Sequence, residues 1–341
     1  MTLAIAVSVG VAAALLTALL RRIALARGLL DVPNARSSHS VPTPKGGGAA
    51  IVLPVSVACI SLWIRGAIDG ELLAALLGGL VVAVVGFVDD RYGLKTWPRL
   101  AVHVLAALWA LTWLGGLPAM LVGNQALSFG AAGYVIGAIA MVWVLNLFNF
   151  MDGIDGLAAS EGIFVTWAGG LLAAAAAAPV PSAVSPAAWV VGAACAGFLL
   201  WNWPPAKIFL GDVGSGYLGY IIAVLALAAA RVDPATLCVW LILGGVFWAD
   251  TTVTLVRRLL RREALHKAHR SHAYQWLARR WGQHQRVTLM AMGINIFWLF
   301  PWAAYAELHP RWVLSCALAA LTPLLVLVLV AGAGRRERPA E

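Results

Sequence analysis

About eleven apolar runs, each long enough to cross a bilayer, constrain what this chain can fold into more than any other feature. The runs cover residues 3–20, 49–64, 72–88, 100–117, 131–148, 159–178, 187–201, 217–230, 236–256, 289–307 and 312–331. The 341 residues are 62% hydrophobic and only 11% charged, and no soluble domain needs so much apolar surface. The sequence therefore predicts an all-α, polytopic integral membrane protein with residues 1–334 in one transmembrane helical domain.

The distribution of positive charge predicts the orientation of this domain. If the N-terminus is periplasmic, 21 of the 24 Lys and Arg residues fall on the cytoplasmic side, and the C-terminus is cytoplasmic. The predicted cytoplasmic segments are the loops 21–48, 89–99, 149–158, 202–216 and 257–288 and the tail 335–341. Orientation and attraction to anionic lipid account for the net charge of +9, so no nucleic-acid partner is needed.

The stretch Asn146–Leu157 concentrates polar residues directly after the fifth apolar run. Asn146, Asn149, Asp152 and Asp155 recur at three-residue steps, so they share one side of a helix if the helix continues. Two amides and two carboxylates in this arrangement indicate a cation site, because oxygen ligands suit Mg²⁺. The two interspersed glycines leave room for a phosphate or metal to approach the backbone.

Charged residues also mark the first two predicted cytoplasmic loops. Lys45 lies in Pro42–Gly48, where prolines hold the chain extended and three glycines open the backbone. Lys45 can therefore deliver a charge to a phosphate at the membrane surface. Asp89 and Asp90 emerge together from the third apolar run, and adjacent carboxylates repel each other unless a cation compensates.

The fourth loop and the ninth run supply further candidates. Lys207 and Asp212 lie in a turn rich in proline and glycine, which can present backbone amides to an anion. Asp250 lies inside an apolar run, where a charge at a helix centre costs about 2.5–3.5 kcal/mol. We expect Asp250 to face the bundle interior, paired with an arginine or joining the metal site.

Three histidines recur at three-residue steps in the longest and most basic loop. His266, His269 and His272 are interleaved with Lys267 and Arg270, and no cysteine accompanies them. This pattern predicts an anionic, base-bearing ligand rather than zinc. The histidines outside this cluster are interpreted as structural; they are His103, His284 and His309.

Together these motifs resemble the polyprenyl-phosphate N-acetylhexosamine-1-phosphate transferase family, glycosyltransferase family 4. That family includes phospho-MurNAc-pentapeptide transferase and enzymes that start O-antigen and teichoic acid synthesis. The resemblance extends from Asp31 to Gln275 and rests on five motifs in order on one predicted membrane face. The motifs are Pro42–Gly48, Asp89-Asp90, Asn146–Leu157, Phe209–Ser215 and the histidine loop.

The resemblance implies transfer of a sugar 1-phosphate from a UDP-linked N-acetyl amino sugar to undecaprenyl phosphate, with release of UMP. It implies Mg²⁺ as cofactor, for which Mn²⁺ can substitute, held by Asp90 and Asp155. The implied catalytic residues are Asp89, Asp90, Asp152 and Asp155. The predicted substrate-binding residues are Lys45, Asn149, Lys207, Asp212, His266, His269, Arg270 and His272.

The histidine loop departs from that of the better-known members, because His269-Arg-Ser-His272 replaces consecutive histidines. In this respect the chain resembles the branch that uses N-acetylfucosamine, N-acetylquinovosamine or N-acetylglucosamine for O-antigen. The expected setting is the bacterial inner membrane, with the active site facing the cytoplasm. Membrane lipid is an expected partner, and a homodimer is compatible with the sequence.

Two other classes of membrane protein remain alternatives at this stage. An ion-coupled transporter would account for Asp250, but it would place its acids near the midplane and often shows internal repeats. A lipid-phosphate transferase with a CDP-linked donor would carry a longer run of spaced aspartates. The sequence has neither an evident repeat nor that run.

Overall fold

The eleven apolar runs coincide with helices in a computed structural model of the protein, which describes residues 2–33, 41–122, 125–175, 183–263 and 269–336. The first seven helices are α1 (Thr2–Ala26), α2 (Ala49–Ile64), α3 (Gly70–Tyr92), α4 (Thr96–Leu114), α5 (Ala132–Met151), α6 (Leu157–Ala175) and α7 (Val184–Asn202). The others are α8 (Asp212–Val232), α9 (Thr236–Leu243), α10 (Gly245–Leu260), α11 (Ala273–Trp281), α12 (His284–Ile294), α13 (Phe300–Leu308) and α14 (Val313–Ala331). A π-helical segment, Asn295–Leu299, joins α12 to α13.

The helices confirm the prediction of a polytopic, all-α membrane protein. Within the described ranges, nine helical segments are long and apolar enough to cross a membrane, with α12–α13 counted as one. The bent pair α9–α10 adds a tenth, and α2 is an apolar helix of only 16 residues. Apolar side chains such as Leu3 and Phe297 remain exposed on the outside of the bundle, as expected for a surface that faces lipid.

Within the described ranges, the β-structure consists of two short antiparallel hairpins. β1 (Leu30–Asp31) pairs with β2 (Thr43–Pro44), so that Leu30 lies opposite Pro44. β3 (Met120–Val122) pairs with β4 (Gln125–Leu127) between α4 and α5. The first hairpin leads the chain into α2 and therefore helps to fix the loop that carries Lys45.

The centre of the bundle is α8, which is buried along its length and packs between α3 and α5. The close approach of α3 depends on Gly86, because a Cβ at that position would lie 2.4 Å from the carbonyl oxygen of Asp212. The last turns of α3 therefore lie directly beside the N-terminus of α8. This contact brings the Asp89-Asp90 pair to the glycine-rich turn of the fourth loop.

The ninth apolar run is broken, whereas the sequence indicated one helix. α9 and α10 meet at an angle of 75° around Gly244 and Gly245. Adjacent small residues are a usual cause of a sharp kink, because they oppose it least. The bend directs α10 toward the polar end of the bundle, and α11 follows within the segment interpreted as a loop.

Candidate active site

Backbone hydrogen bonds join the first and fourth polar loops. The N–H of Phe209 donates to the Pro44 carbonyl (2.8 Å), and the N–H of Gly47 donates to the Phe209 carbonyl (2.9 Å). These bonds satisfy the backbone of two glycine-rich segments that have no helical partners of their own. Lys45 is thereby held beside the start of α8.

The carboxylate of Asp90 binds Lys45 and the N-terminus of α8. Lys45 Nζ lies 2.8 Å from Asp90 Oδ1, and the N–H groups of Asp212 and Val213 donate to Oδ1 and Oδ2 at 3.0 and 3.1 Å. A helix N-terminus stabilises an anion through its unpaired N–H groups and its dipole. Burial lowers the pKa of Lys45, but the charges of Asp90 and Asp212 raise it above its ordinary value, so Lys45 stays cationic. Asp90 is thus engaged by three donors.

Arg99, in the first turn of α4, bridges two carboxylates. Its Nη1 contacts the carboxylate of Asp89 and lies 3.1 Å from Asp212 Oδ2. Asp89 also accepts the N–H of Leu94 at 2.6 Å. The side chain of Asp212 is 26% exposed, against 9% for Asp89 and 8% for Asp90. Asp212 is therefore the most accessible carboxylate of these three.

Asn149 joins the same group from α5. Its Nδ2 donates to Asp212 Oδ1 at 2.9 Å and to Ser215 Oγ at 3.1 Å. Asn146, one turn earlier, donates instead to the Val142 carbonyl of its own helix at 2.7 Å. Asn149, rather than Asn146, therefore contacts the set of three acidic side chains formed by Asp89, Asp90 and Asp212, which is called the carboxylate group below.

Asp152 lies at the end of α5, with φ −85° and ψ 41°. Burial and then the negative charges of Asp212 and Asp90 raise the pKa of Asp152 well above its ordinary value. Lys45 and the backbone of Gly211 act in the opposite direction but do not outweigh them. A cation beside Asp152 and Asp212 would relieve this repulsion.

Asp155 has a different environment, because the helix does not continue to it. Its Oδ2 accepts the N–H of Ala206 at 3.0 Å and lies 3.3 Å from His284 Nδ1. It lines a cavity of about 470 Å³ with Pro204 and Pro205. The partners of Asp155 are therefore Ala206 and His284, whereas those of Asp90 are Lys45 and the start of α8. The single helical face predicted for Asn146–Leu157 does not form, because α5 ends at Met151.

Lys207 lies beside the ring of Trp201, together with Arg21 of the first helix. Its Nζ lies 5.5 Å from the centroid of the Trp201 ring, and the guanidinium of Arg21 lies 6.0 Å from the same ring. Trp201 is fixed by a hydrogen bond from Nε1 to the Ala14 carbonyl (3.0 Å). The predicted substrate role of Lys207 stays a prediction.

The described part of the histidine loop lies over the end of α5. The rings of His269 and His272 stack with centroids 5.0 Å apart, and His272 also stacks with Phe150 at 6.1 Å. Tyr274 Oη donates to the Phe150 carbonyl at 2.8 Å. Burial, followed by His272 and Arg258, lowers the pKa of His269 to about 3, so His269 is neutral at physiological pH.

The other predicted residues of this loop are less informative about the site. The carbonyl of Arg270 accepts a hydrogen bond from Arg279 Nη2 at 3.0 Å. His266 and Lys267 lie outside the described residues. The loop thus contributes two histidines and an aromatic surface to the described site.

Asp250 anchors the histidine loop. This buried carboxylate accepts the N–H groups of Ala273 and Tyr274, both at 2.9 Å, and the hydroxyl of Thr254 at 3.0 Å. His272 Nδ1 lies 3.2 Å from Asp250 Oδ1. The expectation of an arginine partner is wrong, because Asp250 instead caps the first turn of α11. A place for Asp250 in a metal site stays a prediction.

Several site residues were missed from the sequence. Arg99 follows the Asp89-Asp90 pair by only ten residues, and its position after a short turn was a usable signal. His284 was interpreted as structural, yet it contacts Asp155. Ser215 and Phe150 lie inside the recognised motifs, but nothing in their spacing reveals their partners.

The donor set fits Mg²⁺. Among the described residues, no three His, Cys, Asp or Glu side chains form a ready-made metal cage. Mg²⁺ usually keeps several waters and takes one or two carboxylates together with substrate phosphates. Asp212 is the most exposed of Asp89, Asp90 and Asp212, and its negative charge raises the pKa of Asp152. Asp212 and Asp152 therefore match that requirement.

An apolar cavity of about 220 Å³ lies among α5, α8, α9 and α10. Its walls include Leu147, Ala223, Trp240 and Phe247. The wall residue Leu147 is two positions before Asn149 on α5. The lining along α5 extends from Gly137 to Phe148, the residue before Asn149.

Comparison with known proteins gives consistent matches. The family described as glycosyl transferase family 4 matches residues 72–230. A probable undecaprenyl-phosphate N-acetylglucosaminyl 1-phosphate transferase of Bacillus subtilis is 28% identical over 77% of this chain and 73% of its own. A decaprenyl-phosphate N-acetylglucosaminephosphotransferase of Mycobacterium tuberculosis is 28% identical over 83% and 78% of the two chains. A phospho-N-acetylmuramoyl-pentapeptide-transferase of Symbiobacterium thermophilum is 30% identical over 83% and 88%.

Proposed function

Because the chain belongs to glycosyl transferase family 4, we propose that it transfers an N-acetylated amino-sugar 1-phosphate from a UDP-sugar to undecaprenyl phosphate. The product would be undecaprenyl-diphosphate-sugar, and UMP would be released. The observation that carries this proposal is the convergence of Asp89, Asp212, Arg99 and Asn149 on one polar group beside an apolar cavity.

The apolar cavity suits the polyprenyl substrate. Its walls are almost entirely hydrophobic, as binding of an isoprenoid chain requires. A phosphate at the polar end of that chain would meet Arg99 and Lys45, the two cations of the group. The proposed lipid site adjoins the carboxylate group at Phe148, the lining residue next to Asn149.

The metal is proposed to bind at Asp212 and Asp152. Asp90 is less suited to this role because its side chain is only 8% exposed, against 26% for Asp212, and it accepts from Lys45 and two backbone N–H groups. Asp155 faces Ala206 and His284 instead. Mg²⁺, when bound, would neutralise charge on the non-bridging oxygens of the diphosphate.

The proposed reaction is a direct displacement at phosphorus. An oxygen of undecaprenyl phosphate forms a bond to the β-phosphorus, which carries the sugar. The bond from this phosphorus to the bridging oxygen breaks, and that oxygen leaves on UMP. A phosphate monoester has a second pKa of about 6 and is largely dianionic at pH 7, so its attack needs no general base. Asp89 and Asp90 then act as fixed charges that orient Arg99 and Lys45.

The histidine loop is proposed to bind the nucleotide sugar. Phe150 and His269 offer ring surfaces, and His272, whose side chain is only 2% exposed, stacks on both of them. The neutral imidazole of His269 can both donate and accept hydrogen bonds. The resemblance of this loop to that of the O-antigen branch of the family supports N-acetylfucosamine, N-acetylquinovosamine or N-acetylglucosamine as the sugar. The corresponding pathway would be the start of O-antigen or another envelope glycan, at the cytoplasmic face of a bacterial inner membrane.

The test is UMP release by protein in lipid nanodiscs supplied with undecaprenyl phosphate, Mg²⁺ and a panel of UDP-N-acetyl amino sugars. We expect at least one donor to yield UMP together with a labelled polyprenyl product. At a Mg²⁺ concentration that is just saturating for the wild type, Asp212→Asn should weaken both signals strongly. Asp233→Asn is the matched control, because Asp233 lies at the opposite end of α8 from Asp212 and accepts the Ala235 N–H.

If folded protein releases no UMP from any of these donors, the proposed reaction is wrong. An ion-coupled transporter, the other class suggested by the sequence, finds no support from the related proteins, which are transferases.

A further inference from the structure

The last helix returns the chain to the histidine loop. Residues 332–336, here called the C-terminal clasp, follow α14. Gly332, Ala333 and Gly334 are buried, whereas Arg335 and Arg336, where the predicted cytoplasmic tail begins, are exposed. A buried segment of irregular backbone must find partners for its polar groups.

The clasp donates directly to the backbone of the histidine loop. The Gly334 N–H lies 2.7 Å from the carbonyl oxygen of Ser271, the residue between Arg270 and His272. Ser271 Oγ lies 3.0 Å from His269 Nδ1. The clasp therefore contacts the one residue that also contacts His269 and adjoins His272.

Arginines of α10 hold the clasp on its other side. Arg257 Nη1 donates to the Ala333 carbonyl at 2.6 Å, and Arg261 Nη1 donates to the Gly334 carbonyl. Arg336 Nε lies 3.1 Å from Glu263 Oε1, just after α10. Hydrogen bonds from a charged donor are stronger than those between neutral groups. The clasp is thus bonded to α10 and to the histidine loop at once.

Gly334 is needed at this junction for two independent reasons. Its φ of +69° favours glycine, and a Cβ there would lie 2.7 Å from Arg257 Cβ. Any larger residue must displace either the clasp or the end of α10. Substitution of Gly334 should therefore disturb the clasp without altering any residue of the carboxylate group.

We propose that the clasp is a positioning element for the nucleotide-sugar half of the site, with Gly334, Arg257 and Arg261 as its positioning residues. This inference rests on the proposed function, since it assigns the histidine loop to the nucleotide sugar. Asp250 fixes the loop at Ala273 and Tyr274, and the clasp fixes it at Ser271. The two anchors flank His272 on both sides along the chain.

The test compares Gly334→Ala and Arg261→Met with Arg261→Lys, which retains a donor. The control variants are Arg335→Met, an exposed residue of the same segment, and Gly293→Ala, whose added methyl meets no atom within 4 Å. Two measurements are made on each protein in nanodiscs. Hydrogen exchange followed by mass spectrometry reports on residues 269–275, and steady-state kinetics give kcat and both KM values.

We expect faster exchange in residues 269–275 and a KM for the UDP-sugar raised about tenfold, equivalent to about 1.4 kcal/mol. The KM for undecaprenyl phosphate and kcat should change little, and Arg261→Lys should recover part of the loss. A general loss of stability would instead raise exchange across the bundle and reduce the active fraction without changing KM.

Unchanged exchange in residues 269–275 overturns the inference, as does faster exchange with an unaltered KM for the UDP-sugar. The exchange measurement needs no turnover. If the wild-type protein transfers no sugar phosphate, the proposed function fails by that result, while the contact between clasp and loop is still tested.

Discussion

Arg99 reaches from the start of α4 to Asp212 at the start of α8, with its Nη1 3.1 Å from Asp212 Oδ2. The same nitrogen contacts Asp89, so one cation compensates two carboxylates that belong to different motifs. The two residues are 113 positions apart along the chain. Their contact links the Asp89-Asp90 pair to the most exposed carboxylate of the group.

Replacing Arg99 should therefore abolish most activity. We expect Arg99→Met to lower kcat about 100-fold, the scale on which loss of a preorganised charge-stabilising donor acts. Arg99→Lys should retain part of the rate, because it keeps the charge but not the planar geometry. The measurement is UMP release per folded molecule, with Arg91→Met as control because Arg91 is exposed and lies over Tyr92. Equal losses in the variants at both positions would contradict a specific role.

The dependence of activity on Mg²⁺ concentration can distinguish the proposed metal ligand Asp212 from Asp155, which the sequence predicted as a ligand. Asp212→Asn should raise the Mg²⁺ concentration for half-maximal activity at least about tenfold, since loss of even an indirect metal partner has effects of that size. Asp155→Asn should change this concentration far less and affect the rate instead. Chelation with EDTA should stop the reaction in the wild type, and added Mg²⁺ should restore it. If Asp155→Asn instead raised this Mg²⁺ concentration more than Asp212→Asn did, Asp155 would be the metal ligand.

The depressed pKa of His269 makes a prediction about pH. Because burial and the neighbouring His272 and Arg258 lower this pKa to about 3, His269 is neutral throughout pH 6–8. Protonation of His269 therefore cannot strengthen binding of the nucleotide sugar in that range. The KM for the UDP-sugar should show no His269-dependent titration between pH 6 and pH 8, and His269→Gln should leave the shape of the profile unchanged.

A contrary profile would be easy to recognise. A KM that rises about tenfold per pH unit above the ordinary histidine pKa of about 6.5, and that becomes flat in His269→Gln, would indicate a cationic imidazole.

Gly86 controls the distance between α3 and α8. A Cβ at this position would lie 2.4 Å from Asp212 O and 2.6 Å from Val213 N, both backbone atoms. We expect Gly86→Ala to force the helices apart, to weaken the bonds from α8 to Asp90 and to lower stability by about 1–3 kcal/mol. Thermal unfolding and UMP release measure the two effects. Gly293→Ala serves as the comparison, and a Gly86→Ala protein with normal stability and activity would show that this contact is not needed.

The fold was predictable because each span is encoded locally. Nearly uninterrupted apolar residues from Val135 to Leu145 suffice to predict a transmembrane helix, whatever its neighbours are. The grouping of the motifs at one end of the bundle also followed from loop order alone. The break at Gly244 was not foreseen, because two glycines within an apolar run permit a bend without requiring one.

The partners of individual side chains were much harder to predict. The three-residue spacing suggested that Asp152 and Asp155 continue the face of Asn149, but α5 ends at Met151 and Asp155 turns to His284. Asp250 was expected to pair with an arginine, whereas it binds the backbone of Ala273 and Tyr274. These contacts join elements whose relative positions the spacing of residues does not specify.

The sequence by itself determined the membrane-spanning helical class and the residue types of the site, because hydropathy and oxygen-rich motifs are properties of short segments. Only the tertiary structure decided which carboxylates are buried and which are accessible. Asp90 is held by Lys45 and by the N-terminus of α8, whereas Asp212 remains 26% exposed. That difference arises from the packing of α3 against α8, and packing between distant segments fixes the burial and hydrogen-bond partners of each charge.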